Sequence, residues 1–138
     1  MFALIRHGAH QIYPDHLTSA GRVAVLCLAE RLKHAGDWSI IKSSPRLRAH
    51  ETADAIGGAL GVSVQVDDSL LEMVDHDLWM PPYDIPAGTI LVTHVPAIRE
   101  IGMAWAQLFG LFELPRVDVA EGLLIDPATR TIKNFSSL

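Results

Sequence analysis

Ala3-Leu4-Ile5-Arg6-His7-Gly8 is the stretch on which the fold turns. The apolar run Phe2 to Ile5 ends abruptly in a cation, an imidazole and a glycine. That is the pattern of a buried strand emptying into a turn at its carboxyl end. The glycine lets backbone approach a ligand closely, and Arg6 and His7 put a fixed positive charge and a titratable ring at the same strand end.

Outward from this strand, helix and strand alternate. Leu17 to Ala35 reads as a helix, with Val25, Leu28, Ala29 and Leu32 at i, i+3, i+4, i+7 and Gly36 as its stop. Ser39 to Lys42 is a second short strand. Ser44-Pro45 combines an N-cap residue with proline at the first helical position, and Ala49, Ala53, Ile56 and Leu60 keep one apolar face as far as Gly61. Val62 to Val66 alternates like a strand, Asp67 to Pro86 is irregular, and Thr89 to Thr93 is another buried strand. Pro96 opens a helix on which Ile98, Ile101, Trp105 and Leu108 share a face. Val119 to Ile125 and Thr131 to Phe135 form a hairpin about Asp126-Pro127-Ala128-Thr129.

The alternation predicts an α/β fold: a single domain over residues 1–138, with a mostly parallel sheet, helices on both faces and a C-terminal β-hairpin. In such sheets ligands bind beyond the carboxyl ends of the strands. His7 and His94 each follow an apolar strand, so both reach that edge.

Composition narrows the partners. The chain has 138 residues, 49% of them hydrophobic and 20% charged, as one globular domain requires. The net charge is −5 without a Lys/Arg block, which argues against nucleic acid as a partner and means that an anionic ligand needs a local cluster of positive groups. No stretch is long enough to span a bilayer, and the N-terminal apolar run is too short for a signal peptide, so a soluble cytoplasmic protein is expected. Cys27, the single cysteine, sits among Val25, Leu26 and Leu28 and is expected to be a buried thiol in a reducing compartment. The seven histidines match no compact zinc pattern; no metal and no cofactor are expected.

Five segments then fall in order: Arg6-His7-Gly8; Leu17-Thr18-Ser19-Ala20-Gly21; Ser43-Ser44-Pro45-Arg46-Leu47-Arg48-Ala49-His50-Glu51-Thr52-Ala53; Leu71-Glu72; and Leu91-Val92-Thr93-His94. This ordered set resembles the histidine phosphatase (phosphoglycerate mutase-like) superfamily, and the short chain resembles its SixA-type phosphohistidine phosphatases. The resemblance implies that His7 attacks phosphorus, forming a phosphohistidine that water later hydrolyses. It implies that Arg6, His7, Gly8, Arg48 and His94 hold the phosphate, and that Glu72, in Leu70-Leu71-Glu72, is the general acid, with Asp75 or Asp77 as alternatives. Arg48 rather than Arg46 fits the family's Arg-Ala-x-x-Thr pattern. Arg46, two residues earlier on the helix, is expected to point about 200° away, as a solvated or rim charge.

The chain departs from the family pattern in three places. Ala9-His10 replaces the Glu or Gln common after His-Gly, Val95-Pro96 lacks the acid of the acid-phosphatase branch, and only about twenty residues separate Glu72 from His94, where mutases carry a longer lid. A short lid leaves an open site and favours hydrolysis over mutase-type phosphotransfer. The substrate implied is a phosphorylated small molecule or a phosphohistidine protein. Two alternatives stand beside hydrolysis: a catalytically weak phosphate-sensing or protein-binding relative, and phosphoglycerate mutase-type transfer.

Overall fold

The computed structural model describes residues 1–136. The strands are β1 (Phe2–Arg6), β2 (Ile40–Ser43), β3 (Val64–Val66), β4 (Thr89–Thr93), β5 (Gly122–Asp126) and β6 (Thr131–Phe135); the helices are α1 (Ser19–Ala35), α2 (Leu47–Leu60) and α3 (Val95–Phe109). One mixed sheet of order β3-β2-β4-β1-β5-β6 runs through the molecule. The first four strands in that order pair in parallel, whereas β5 and β6 form the antiparallel C-terminal hairpin beside β1.

Both faces of the sheet are covered, and strand residues divide between them with the period of two that a pleated backbone imposes. Ala3, Ile5, Ile41, Ile90 and Val92 pack with Val25, Leu28 and Leu32 of α1 and Ala53 and Ile56 of α2. Phe2, Leu4 and Leu91 pack on the opposite face with Ile98, Ile101 and Trp105 of α3. The chain therefore leaves β1 toward one face and β4 toward the other, although the two strands are parallel neighbours. Their carboxyl ends flank a crevice at this switch point, the place where open α/β sheets bind ligands. Arg6 is in register with Thr93, and the His7 amide donates to Thr93 O at 3.4 Å, so His7 and His94 emerge side by side.

Close approach of α1 to the turn after β1 depends on glycine. A Cβ on Gly21 would lie 2.1 Å from Ala9 O, and one on Gly8 would lie 2.8 Å from Val25 Cγ2. The Thr18 side chain caps α1 by accepting from the Gly21 amide, which holds this helix start against residues 8 and 9.

Several expectations change. α2 begins at Leu47 with Arg46 as its N-cap, so Ser44-Pro45 precedes the helix, and the Ser44 hydroxyl is taken by His94. On α3 the buried face continues through Phe109, while Leu108 is 49% exposed, because a period of 3.6 carries the stripe from Trp105 to the fourth residue on. Cys27 is exposed: its apolar neighbours Val25 and Leu28 point inward, and the helical step turns position 27 outward. β3 starts at Val64 and β5 at Gly122, each later than expected. Within the irregular stretch, Asp68–Leu70 and Asp77–Trp79 form short 3-10 turns that place Leu70 and Trp79 in the α3-side core. Among the described residues no helix is long and apolar enough to cross a membrane.

Candidate active site

His7 sits at the end of β1, almost fully buried, with its ring centroid 5.3 Å from that of His94. Its Nδ1 donates to Gly8 O at 3.0 Å, which leaves Nε2 as the nitrogen with the free lone pair. Arg48 Nε donates to that Nε2 at 3.3 Å. Burial pulls the His7 pKa down to about 4 against the opposing Gly8 hydrogen bond, and the charges of His94, Arg48 and His10 add to the lowering. At neutral pH the ring is therefore an uncharged base whose lone pair faces a guanidinium.

The turn is anchored to α2. The Gly8 amide donates to Thr52 Oγ1 at 3.0 Å, and that hydroxyl donates to Arg48 O at 2.7 Å. Thr52 of the Arg-Ala-x-x-Thr segment thus sets the distance between His7 and Arg48. Its neighbour Glu51 accepts from the Leu17 amide at 2.7 Å and pairs with His16, tying the loop between β1 and α1 to the same helix.

Arg48 is the hub. Besides His7, it donates to Asp15 Oδ2 through Nη1 at 2.9 Å and to Glu72 Oε2 through Nη2 at 3.1 Å. The Arg48 amide, at the start of α2, also donates to Asp15, so a carboxylate occupies the helix N-terminus where an anion is favoured. Burial works to raise the Asp15 carboxyl, but the bonds from Arg48 outweigh it and hold it below the usual range.

His94 caps the opposite side. It is 3% exposed, its Nε2 lies 2.8 Å from Ser44 Oγ, and its Nδ1 lies 3.4 Å from Glu72 Oε2. Burial lowers His94 to about 4; the Glu72 carboxylate opposes this, and the charges of Arg48 and Arg46 reinforce it. Desolvation prevails, so the contact with Glu72 joins a neutral ring to a carboxylate.

Glu72 lies across the mouth of the cluster. Arg46 Nε holds its Oε1 at 2.8 Å and Arg48 holds its Oε2. Burial pushes the carboxyl up, but the Arg46 hydrogen bond and the neighbouring positive charge bring it below its ordinary value. Arg46, 53% exposed, is indeed on the rim but is not turned away from the site. As N-cap it has extended backbone angles, so the helical step of 100° per residue does not apply between it and Arg48. Asp75 and Asp77 are exposed, and the Asp77 amide donates to Asp75 Oδ1 at 2.7 Å; neither joins the cluster. Mutual repulsion with Asp75 raises Asp77.

Of the residues singled out from sequence, His7, Gly8, Arg48, Glu72 and His94 come together. The Arg6 side chain forms no hydrogen bond or ion pair with them among the described residues. It projects to the other face of the sheet, donates to Val117 O at 3.2 Å, and leaves its buried Nε without a partner among the described residues. Sequence reasoning does not find Asp15 and Ser44: Asp15 is 33 residues from Arg48 and carries no local signal, and Ser44 has the sequence context of a helix cap. His76 was missed as well. It is buried and clamps the segment after Glu72, with Nε2 2.6 Å from Leu71 O and Nδ1 2.9 Å from Glu100 Oε2.

The arrangement is a neutral imidazole, a second buried imidazole and a guanidinium around one opening, beside a helix start whose Arg48 amide is taken by Asp15. It can bind a tetrahedral anion and attack its centre. Residues 2–79 match the family model of the histidine phosphatase superfamily (branch 1). Among solved structures, the fold is similar to the protein histidine phosphatase SixA complexed with tungstate, with a TM-score of 0.75, 20% identity and coverage of 99% of this chain and 96% of that one. A protein assigned as phosphohistidine phosphatase SixA from Agrobacterium tumefaciens gives a TM-score of 0.69 at 18% identity over 98% of this chain and 95% of that one. A mycobacterial glucosyl-3-phosphoglycerate phosphatase gives 0.61 at 17% identity over 99% of this chain and 97% of that one. No curated protein matches the chain.

Proposed function

Since the chain belongs to the histidine phosphatase superfamily and is by that membership a phosphohydrolase, we propose that it cleaves a phosphomonoester or a phosphohistidine through a covalent intermediate on His7. The observation that carries this reading is the state of His7: Nδ1 is engaged by Gly8 O and Nε2 is unprotonated beside Arg48.

The substrate phosphoryl group takes the place between His7, His94 and Arg48. Arg48 faces its equatorial oxygens, and the neutral His94 contributes a ring hydrogen bond. His7 Nε2 forms a bond to phosphorus as the bond to the leaving group breaks in line, and the leaving group takes a proton. Water then attacks the phosphohistidine; the P–N bond breaks, its electron pair returns to Nε2, and phosphate departs.

Glu72 is the carboxyl group placed to give the first proton and to receive one from water. Unliganded, it is held ionised by Arg46 and Arg48, so it acts as an acid only after taking up a proton. A phosphate dianion drawing Arg48 toward itself favours that uptake. Substrates whose leaving group needs little help, aryl phosphates and phosphohistidine, suit such a site better than alkyl esters. Together with the short span between Glu72 and His94, this favours hydrolysis over mutase-type transfer.

The whole chain is read as one histidine phosphatase domain, acting in the cytoplasm on a phosphorylated small molecule or phosphohistidine protein. A phosphate-sensing role without turnover is disfavoured, because a binder has no use for an unprotonated nitrogen aimed at its ligand. Hydrolysis of p-nitrophenyl phosphate by the purified protein, with phosphate trapped on His7 after acid-free quenching, tests the proposal. Binding of phosphate without turnover would replace it with the sensing role.

A further inference from the structure

Asp15 lies in the loop between β1 and α1, and one of its oxygens, Oδ2, accepts from two donors of a single residue: Arg48 Nη1 at 2.9 Å and the Arg48 amide at 3.2 Å. The second bond caps α2 from outside the helix, since the N-cap residue Arg46 makes no side-chain cap bond. The first leaves Nε and Nη2 of Arg48 facing His7 Nε2 and Glu72 Oε2. A guanidinium is a flat, rigid fork. Holding one arm, together with the backbone from which the side chain springs, fixes where the other arms point.

The loop holds Asp15 in place independently of Arg48. The Gln11 amide donates to His16 O at 2.8 Å and the Thr18 amide to Ala9 O at 3.0 Å, so the loop closes on itself. The two residues after Asp15 are bound to Glu51 of α2, His16 through Nδ1 at 3.0 Å and Leu17 through its amide at 2.7 Å. Asp15 and the guanidinium are therefore both referred to one helix. The carboxylate also has an electrostatic consequence. Arg46 and Arg48 face Glu72 and Asp15, while His7 and His94 are neutral, so these groups sum to zero charge before an anionic substrate arrives. A fixed negative charge on the anion-binding arginine weakens the hold on that substrate.

We propose that Asp15 is a positioning residue that orients Arg48 toward the nucleophile His7, raising the rate of phosphoryl transfer while weakening the binding of the anionic substrate. The inference rests on the reading of His7 as the phosphoryl acceptor and acts only through Arg48. Without the carboxylate, Nη1 is free and the guanidinium turns about its remaining bond to Glu72, away from His7. The geometric part of the role needs an acceptor oxygen at this place, whereas the electrostatic part needs its charge.

The test measures kcat and KM for p-nitrophenyl phosphate in Asp15→Asn and Asp15→Ala, each well below its own Tm. Asp15→Asn keeps the acceptor and drops the charge, so kcat should stay close to that of the wild type while KM falls severalfold. Asp15→Ala removes both, and kcat should fall about 10- to 100-fold, the scale of a small misplacement of a catalytic group, without a rise in KM. A residue that only caps α2 would lower Tm and leave kcat of the folded alanine variant unchanged, and that result would overturn the proposal. So would equal losses of kcat in the two variants, or a faster alanine variant, which would make Asp15 a blocking anion. In the asparagine variant, a KM at or above that of the wild type would overturn it even if the alanine protein failed to fold. The Arg48 Nε–H resonance, assigned by its loss in Arg48→Lys, reads the orientation without turnover: it should persist in Asp15→Asn and be lost to exchange with water in Asp15→Ala. That pattern with no hydrolysis of any ester keeps the positioning and refutes the reading of His7 as acceptor. Hydrolysis with an unchanged resonance in Asp15→Ala keeps that reading and refutes the positioning.

Discussion

Arg48 Nε donates to His7 Nε2 at 3.3 Å, so the side chain that would stabilise a transferring phosphoryl group already rests on the nitrogen that would attack it. The contact is possible because His7 is uncharged; a protonated ring would face the guanidinium with like charge and no lone pair. In the proposed reaction, substrate would replace this bond by placing its phosphorus between the two groups.

His7→Ala should abolish turnover while leaving vanadate binding largely intact, because Arg48 and His94 remain in place. Labelled substrate, quenched without acid, should leave label on His7 of the wild type. Label elsewhere, or an active His7→Ala protein, would remove His7 from the reaction.

Arg48→Ala should cost several kcal/mol in transition-state stabilisation, on the order of the loss seen when a buried donor to a developing charge is removed. Arg46→Ala should cost much less in kcat/KM and act differently. Without the 2.8 Å bond from Arg46, Glu72 loses its main counterweight to burial, and its pKa should rise. The pH profile for an alkyl phosphate would record that rise as a group titrating at higher pH. Equal losses for the two variants, with superimposable profiles, would contradict this division of roles.

Glu72→Gln should slow alkyl phosphates far more than aryl ones, since an alkoxide requires the proton and a phenoxide largely does not. The wild type should in turn favour aryl over alkyl esters, given the ionised state in which Arg46 and Arg48 hold Glu72. A wild-type preference for alkyl esters with a large Glu72→Gln loss would restore an ordinary general acid.

Stability should fall with acid through the two buried histidines. His7 and His94 are both lowered to about 4 in the folded protein, whereas an unfolded histidine titrates near 6.5. The unfolded chain therefore binds more protons between these values, so the contribution is complete above about pH 6.5 and is lost as pH falls toward 4. The full effect is on the order of a few kcal/mol. Urea unfolding at pH 7.0 and pH 5.0 should show the drop, and His94→Asn should flatten it. A stability that is level over this range would mean that the rings are not neutralised by burial.

His76→Leu should destabilise the protein by about 1–3 kcal/mol, because Leu71 O and Glu100 lose their donor. Both partners of the ring are acceptors, and leucine donates to neither. The segment that carries Glu72 should loosen with it, lowering kcat for alkyl esters more than for aryl esters. A loss of stability with an unchanged ratio of the two would make His76 purely structural.

The sequence by itself determined whatever rests on short-range rules. An apolar run ending in Arg6-His7-Gly8, amphipathic spacing in α1 and a second apolar run before His94 required buried strands, covering helices and two imidazoles at one sheet edge. The period of two also separates Arg6 from His7, since neighbouring strand residues face opposite sides. The family pattern groups the two, and in the structure Arg6 bonds Val117 O on the α3 side of the sheet. The exposure of Cys27 was open to the same kind of reading, through the helical step rather than the apolar character of its neighbours. What only the tertiary structure decided is how the charges are paired. Asp15 reaches Arg48 from a loop 33 residues away, Ser44 leaves its expected cap to bond His94, and Arg46, extended as an N-cap, turns back onto Glu72. Each of these depends on the meeting of segments distant in the chain, where burial and the nearest opposite charge set protonation and direction, and no local spacing encodes that meeting.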